Sequence, residues 1–217
     1  MSEHPIELEI RGIIDPKMIP VLRKKLLGMG YKVTSNTRRT SVMSFGTVSA
    51  SGVGWDEGKK DEMDVRCRVT NGRAEVVAKI GRVSAANRVE VTVPVSFDDM
   101  LKFARLFGAM PLFTKAGSRL TENLKKGTIT ISIVTSIPSQ LSYVEIERMT
   151  TREKEAADLK VLHALAKELG IALVKTHQEY LDFCSLLTKK DDWVFSGSAA
   201  DMKRLKADIK KTKSNKA

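Results

Sequence analysis

Strict alternation of apolar and polar residues is the main pattern in the first two thirds of the chain. In "IELEIRG", residues 6–12, three aliphatic residues alternate with Glu7, Glu9 and Arg11. Side chains two apart in an extended segment share a face, so this period of two predicts a strand with one apolar and one charged face. Five further segments show the same alternation. The sequence therefore predicts a sheet with one charged or hydroxylic face.

Alternating segments and turn residues predict nine strands. Asn71-Gly72 is a strong hairpin signal between two of them. A stretch rich in Gly, Ser and charge, 46–62, is predicted to be a long loop. The predicted strands are 5–13, 31–36, 39–46, 63–70, 73–81, 87–95, 111–121, 127–135 and 140–148.

Helices are predicted from N-cap residues, apolar periodicity and terminal glycines. They begin after Asp15, at Ser96, at a capping box formed by Thr150 and Glu153, near residue 176 and near Ser198. Because the hairpin-linked strands are accompanied by helices segregated towards the ends, the predicted class is α+β with a mainly antiparallel sheet.

The composition of the charged faces bears on whether the sheet is open or closed. Lysine is the usual charge on an exposed edge strand, whereas Arg and Glu dominate here. The helices also have apolar stripes that need a surface to cover. Closing the sheet would place the helices outside and the charges in the polar lumen of a barrel. An open sheet with a solvated charged face is the alternative.

Charged residues in a lumen are costly unless they are paired or bind a ligand. Glutamates at a spacing of two suit a hard divalent cation such as Mg²⁺ or Mn²⁺. Arginine forks match phosphate oxygens. In a closed sheet the pattern indicates a chain of phosphates as the guest. The acids and bases of these faces balance in number: Glu7, Glu9, Glu90, Glu145 and Glu147 against Arg11, Arg66, Arg68, Lys79 and Arg88.

Composition and net charge add a preference for anionic partners. The chain has 217 residues, 42% hydrophobic and 29% charged, with a formal net charge of +11. Cys67 and Cys184 are too far apart in sequence to suggest a disulfide framework or a zinc motif. No run of apolar residues is long enough to span a membrane, and the acidic N-terminus lacks an apolar signal core. We therefore expect a cytoplasmic protein with no membrane partner.

Five motifs, "ELEIR", "DVRCR", "EVVAKIG", "RVEV" and "YVEIE", resemble the CYTH proteins in order and approximate spacing. That family holds class IV adenylyl cyclases and thiamine-triphosphatase-like enzymes within the triphosphate tunnel metalloenzymes. The resemblance covers about residues 5–185. It implies a closed eight-stranded antiparallel β-barrel, or tunnel, that binds a triphosphate and a divalent metal. We expect residues 1–190 to form this domain, and 191–217 to form a basic helix and a partly disordered tail.

The resemblance also implies roles for individual residues. Glu90, Glu147 and Arg11 are expected to take part in catalysis, with Glu90 or Glu147 orienting water. The implied metal ligands are Glu7, Glu9, Glu145 and Glu147. The implied phosphate ligands are Arg11, Arg66, Arg68, Lys79, Arg88, Lys115 and Arg119.

Four departures from the family pattern concern the exact activity. Arg11 stands where the family usually has Lys, and Lys115 and Arg119 are four apart where a Lys-x-Arg pair is usual. An even spacing still leaves Lys115 and Arg119 on one face. The segment "ITISIVTS" lacks the common Asp, and "SVMSFG" lacks the usual aspartate–tyrosine pair.

The predicted function is Mg²⁺- or Mn²⁺-dependent hydrolysis of a triphosphate, by a monomer or homodimer. Few aromatic residues lie near the strands to read adenine, which favours hydrolysis over a class IV-type adenylyl cyclase. An RNA 5′-triphosphatase is a further alternative, since the basic C-terminal tail would suit an RNA 5′ end. A non-catalytic polyphosphate- or nucleotide-binding module is the rival from another class.

Overall fold

The computed structural model describes residues 6–49, 60–81 and 87–213. In this part of the chain the strands pair antiparallel and are accompanied by five α-helices, which confirms the predicted α+β class. The strands are β1 (Ile6–Ile14), β2 (Lys32–Ser49), β3 (Lys60–Thr70), β4 (Arg73–Ile80), β5 (Asn87–Pro94), β6 (Phe113–Lys126), β7 (Ile129–Ile137), β8 (Ser142–Thr150), β9 (Ala172–Leu173) and β10 (Trp193–Val194). The helices are α1 (Ile19–Gly28), α2 (Phe97–Ala109), α3 (Glu155–Leu169), α4 (His177–Lys190) and α5 (Ala199–Lys213).

The chain divides into two compact units, each described separately. Unit 1 comprises residues 1–37 and 119–191, and unit 2 comprises residues 38–118 and 192–217. The strand pairings within the units leave a closed eight-stranded barrel unconfirmed. The predicted change of character after residue 190 lies next to the point where the chain passes from unit 1 to unit 2. The assignment of 1–190 as one domain stays a prediction.

Unit 1 is built on β1, β8 and β7, paired in that order, with β9 on the other side of β1. The alternation predicted for β1 is observed, because Leu8 and Ile10 are buried while Glu7 and Glu9 are partly exposed. Helix α3 packs against β1 and β8. Asp158 of α3 fixes this contact: it lies 2.8 Å from the Arg148 guanidinium and accepts a 2.5 Å hydrogen bond from the Thr150 hydroxyl. The apolar faces of β1 and β8 are therefore covered by a helix, as predicted.

Unit 2 is built on β2, β3, β4 and β5, paired in sequence order, and β6 pairs with β10. Helix α2 packs against β3 and β4, and helix α5 packs against β3. A Cβ at Gly108 of α2 would lie 2.3 Å from the backbone nitrogen of Gly197, so glycine permits the close approach of the segment before α5. The buried core of this unit consists of Val42, Cys67, Val69, Met100, Ala104, Phe107, Ala116, Phe195, Met202, Leu205 and Ile209.

Three local predictions differ from the structure. The strands predicted at 31–36 and 39–46 form one continuous strand, β2, and the turn between them is absent. Of the predicted loop 46–62, residues 46–49 belong to β2 and residues 60–62 belong to β3; residues 50–59 lie outside the described part. The predicted capping box is also wrong. Thr150 belongs to β8, where it pairs with β1, and α3 begins at Glu155 without a side-chain cap.

Two further features bear on the surface. On β5, Val91 and Val93 are 50% and 51% exposed, so the apolar face of this strand is not covered as the other apolar faces are. Helix α4 begins with a capping box of Thr176 and Glu179. In the described residues no helix is long and apolar enough to cross a membrane.

Candidate functional site

The four glutamates predicted as metal ligands lie on the two central strands of unit 1. Glu9 on β1 pairs directly with Glu147 on β8, and Arg11 pairs with Glu145. Glu7 lies two residues before Glu9 and therefore shares its face. Like charges directly opposite each other on paired strands are destabilising. We call this surface the acidic face: it carries four carboxylates and one guanidinium, that of Arg11.

Arg11 is the cation of the acidic face and lies at one end of it, beside Glu9 and opposite Glu145. Its guanidinium forms an ion pair with Glu9 and lies 3.1 Å from a carboxylate oxygen of Glu145. The ring of Tyr180 on α4 lies beneath it, 5.3 Å from the guanidinium carbon. Burial by itself would lower the pKa of Arg11, but Glu9, Tyr180 and Glu145 outweigh burial and raise that pKa well above its ordinary value. Arg11 is therefore a permanent charge.

The pKa of Glu147 reflects burial and the negative charge of the acidic face. Burial, reinforced by the carboxylates of Glu7, Glu9 and Glu145, raises the pKa of Glu147 to about 8. A hydrogen bond with Glu7 acts in the same direction. A shift of this sign shows that the surroundings of Glu147 disfavour another negative charge.

The acidic face matches a hard divalent cation in chemistry and in charge. Carboxylate oxygens are the donors preferred by Mg²⁺ and Mn²⁺, and the raised pKa of Glu147 marks an excess of negative charge. The side chains are not pre-arranged for coordination. Over residues 6–49, 60–81 and 87–213, no group of three or more His, Cys, Asp or Glu side chains is gathered as a metal would require. Binding would need the carboxylates that now contact Arg11 to turn towards the ion.

The predicted phosphate ligands Arg66, Arg68 and Lys79 lie on one face of unit 2 and contact acids there. Arg66 forms a two-pronged contact with Asp64, with the Nε donating a 2.6 Å hydrogen bond. The Nε of Arg68 donates a 2.5 Å hydrogen bond to Glu75. Since acids and bases alternate, we call this surface the ion-paired face.

Glu90 on β5 joins two of these cations. Its carboxylate lies 2.6 Å from the Lys79 ammonium, 3.7 Å from an Arg68 nitrogen, and accepts a 3.0 Å hydrogen bond from Thr92. Burial would raise the pKa of Glu90, but Lys79, Arg68 and Thr92 together lower it to about 2. Glu90 therefore stays ionised at neutral pH and is a weak proton acceptor. Arg88 lies on β5, and its side chain lies outside the described part.

The two cations predicted on β6 have acidic neighbours from the "DDW" segment. In unit 2, the Lys115 ammonium lies 2.9 Å from Asp192, with both side chains almost fully buried, and 5.8 Å from the centroid of the Phe45 ring. In unit 1, Arg119 helps to lower the pKa of Asp191, after hydrogen bonds from nearby serines and against the effect of burial.

Several residues of these faces were not predicted. Asp64, Glu75 and Asp192 hold the basic side chains, and Tyr180 packs on Arg11. Glu75 could have been identified, because it stands on the polar face of a predicted hairpin strand beside Lys79. For Tyr180 the only signal was its helical spacing from Phe183, which predicts core packing. Phe183 is indeed buried and meets the ring of Tyr143 edge-on at 5.2 Å.

No protein-family model matches the chain, and neither does any curated protein sequence. Solved structures do match it. A Vibrio parahaemolyticus protein given the provisional name adenylate cyclase has a TM-score of 0.58 at 13% identity, over 82% of this chain and 98% of its own. The PH1819 protein from Pyrococcus horikoshii OT3 has a TM-score of 0.57 at 14% identity, over 82% of this chain and 99% of its own.

A third neighbour, from Bacillus halodurans, also bears the provisional name adenylate cyclase. Its TM-score is 0.51 at 14% identity, over 81% of this chain and 95% of its own. At these identities the likeness is one of fold. The resemblance to CYTH proteins found in the sequence motifs is thus confirmed at the level of the fold.

Proposed function

We propose that this chain, which has the fold of CYTH-type proteins, is a divalent-metal-dependent hydrolase of a triphosphate bound in a closed β-barrel tunnel. The observation that carries the proposal is the acidic face, where Glu7, Glu9, Glu145 and Glu147 lie together on two paired strands and the pKa of Glu147 is raised. A solvated structural sheet has no need for four carboxylates on two neighbouring strands. A divalent cation would relieve the excess of negative charge on this face.

The roles of the residues follow from their contacts. Glu7, Glu9, Glu145 and Glu147 would hold one or two Mg²⁺ or Mn²⁺ ions, which when bound supply charge neutralisation at the phosphates and activation of water. Arg66, Arg68 and Lys79 would exchange their carboxylate partners for phosphate oxygens. Phosphate can replace carboxylate in these contacts, because both accept the same forked hydrogen bonds from arginine.

Arg11 and Glu90 would serve the reaction without giving up or taking a proton. Arg11 keeps its charge and would bind a phosphate oxygen beside the carboxylates. Glu90, ionised and hydrogen-bonded by Thr92, is suited to orienting water, which its low pKa allows better than proton abstraction. Stabilising the charge on the transferring phosphoryl group is mainly a matter of position and electrostatics.

A compact substrate is favoured by the aromatic residues of α4. Tyr180 covers Arg11, and Phe183 packs on Tyr143, so α4 occupies the end of the acidic face that follows Arg11 along β1. The space for a nucleoside is reduced at this end. Inorganic triphosphate is therefore our first choice of substrate. A class IV-type adenylyl cyclase is the second candidate, favoured by the provisional names of two structural neighbours.

The test is product release from inorganic triphosphate, ATP and triphosphate-ended RNA, with Mg²⁺ or Mn²⁺. We expect orthophosphate from inorganic triphosphate, and a loss of roughly 10²-fold or more in Glu7→Ala. Glu153→Ala, which removes an exposed glutamate outside the acidic face, is the matched control.

The other outcomes separate the alternatives. Pyrophosphate with cyclic nucleotide identifies a cyclase, and preference for RNA ends identifies an RNA triphosphatase. Tight triphosphate binding without turnover identifies a binding module. The absence of both turnover and triphosphate binding would contradict the tunnel proposal.

A further inference from the structure

Helix α5 has one face in the core of unit 2 and one face in solvent. Met202, Leu205 and Ile209 are buried, whereas Lys203, Lys206 and Lys210 are exposed. The apolar side of the helix is therefore already used for folding. It is not available to enter a lipid bilayer, as the apolar face of a membrane-surface helix must be.

Lys203, Lys206 and Lys210 form a row on the solvent side of α5, which we call the lysine row. Residues spaced by three and seven fall within an arc of roughly 60° on a helix and span about 10 Å along its axis. In the described part of the chain, none of the three makes an ion pair, in contrast to Lys211, which lies 2.9 Å from Asp208. The lysine row thus offers three ammonium groups to an extended polyanion.

A planar cation lies on the same helix, about 100° around its axis from Lys203. The guanidinium carbon of Arg204 is 3.8 Å from the ring centroid of Trp193, and Arg204 is exposed. The indole supports one side of the guanidinium, and the opposite side is the one on which a base would stack. Stacking of bases on arginine planes is a common mode of single-strand recognition.

We propose that α5 and Trp193 form a binding surface for single-stranded nucleic acid. The lysine row contacts consecutive phosphates, and Arg204, held by Trp193, stacks on a base. The pairing of a cation row with a supported plane favours this partner over a lipid surface, which has charged headgroups but no flat rings. The surface is independent of the proposed hydrolase activity, and its test is a binding measurement.

The experiment is fluorescence anisotropy of a labelled oligouridylate titrated with the full chain over a series of salt concentrations. We expect binding whose logarithm falls linearly with the logarithm of salt. In Lys203→Gln/Lys206→Gln/Lys210→Gln the slope should decrease by about 2, since each phosphate contact with a single strand contributes roughly 0.7. The matched control is Lys24→Gln/Lys160→Gln/Lys167→Gln, which removes the same charge from exposed positions in unit 1 and should keep the slope.

A second variant tests the stacking. Arg204→Lys keeps the charge but removes the plane, so affinity for oligouridylate should fall roughly 5- to 100-fold while affinity for long-chain inorganic polyphosphate is unchanged. Equal losses in the two lysine triples would overturn the assignment to α5. So would binding to phosphatidylserine vesicles without binding to oligouridylate, equal losses of both polyanions in Arg204→Lys, or no binding of oligouridylate at low salt.

Discussion

The acidic face of unit 1 and the ion-paired face of unit 2 come from the same sequence pattern but have opposite electrostatics. Both are the polar sides of alternating strands. On the acidic face, Glu9 lies opposite Glu147 and the pKa of Glu147 is raised to about 8. On the ion-paired face, Glu90 lies opposite Lys79 and its pKa is lowered to about 2.

The difference between the two faces shows that the balance of acids and bases and the strand register together decide what a charged face can do. Unlike charges opposite each other stabilise the apo protein, and a ligand must compete with them. Like charges opposite each other store an electrostatic cost that a bound cation can relieve. The acidic face therefore gains most from a metal, while the bases of the ion-paired face must exchange partners to bind phosphate.

The largest effect on stability is expected where unit 2 buries an ion pair. Asp192→Asn would leave the Lys115 ammonium buried without its carboxylate, which should lower the free energy of unfolding by about 3–5 kcal/mol. Denaturant unfolding measures the change.

Asp208→Asn is the control for Asp192→Asn, because its partner Lys211 is exposed and the loss should stay below about 1 kcal/mol. If Asp192→Asn does not fold, Lys115→Met/Asp192→Asn should, since removing both charges avoids the uncompensated ammonium. Similar small losses in both single variants would show that the buried pair is unimportant.

The next largest effect is a gain in stability and concerns Glu147 on the acidic face. The folded-state pKa of Glu147, about 8, lies above its ordinary value, so the wild type loses stability as pH rises towards 8. Glu147→Gln removes that loss and should raise the free energy of unfolding by about 2–3 kcal/mol at pH 8, and much less at pH 5.

Thermal unfolding at pH 5 and pH 8 measures the effect of Glu147→Gln, with Glu153→Gln as the exposed control. Added Mg²⁺ should raise the unfolding temperature of the wild type more than that of Glu147→Gln, because the variant lacks a ligand. A destabilised Glu147→Gln at pH 8 would contradict the electrostatic picture of the acidic face.

A smaller change in the free energy of unfolding is expected when a glutamate of the ion-paired face is replaced by glutamine. Glu90→Gln weakens the contacts with Lys79 and Arg68 and should cost about 1–2 kcal/mol at neutral pH. Since the folded pKa of Glu90 is about 2, below its ordinary value, its contribution is present above about pH 4.5 and disappears as pH falls towards 2. The difference between variant and wild type should therefore shrink on acidification. A difference that stays constant from pH 7 to pH 3 would argue against this origin.

The sequence predicted the faces better than the partners on them. A period of two specifies which residues share a side of a strand, so the positions of Glu7, Glu9 and Arg11 followed directly. Which side chains meet across strands depends on register. Arg66 lies on the same face as Asp64, two residues away, and Arg68 meets Glu75 across a hairpin. Choosing between such neighbours requires side-chain conformations that alternation does not contain.

Local signals failed where tertiary pairing outweighed them. The segment around Thr37 is polar and predicts a turn, yet β2 continues through it and pairs with β3 from Arg39 onwards. Thr150 has the type and spacing of an N-cap, but pairing with β1 holds it in β8 and its hydroxyl bonds to Asp158. At Thr150, pairing with a neighbouring strand replaced the bonds that a cap would have supplied.

The smallest expected change in the free energy of unfolding concerns Arg11, the cation of the acidic face. Arg11→Lys keeps the charge between Glu9 and Glu145 but loses the fork and most of the stacking on Tyr180, so the free energy of unfolding should fall by about 1 kcal/mol or less. Tyr180→Leu alone should cost a similar amount. The double variant Arg11→Lys/Tyr180→Leu should lose less stability than the sum of the two single losses, because both substitutions remove the same contact. Strict additivity in denaturant unfolding would show that Tyr180 does not support Arg11. Its place over the guanidinium would then reflect only the packing of α4.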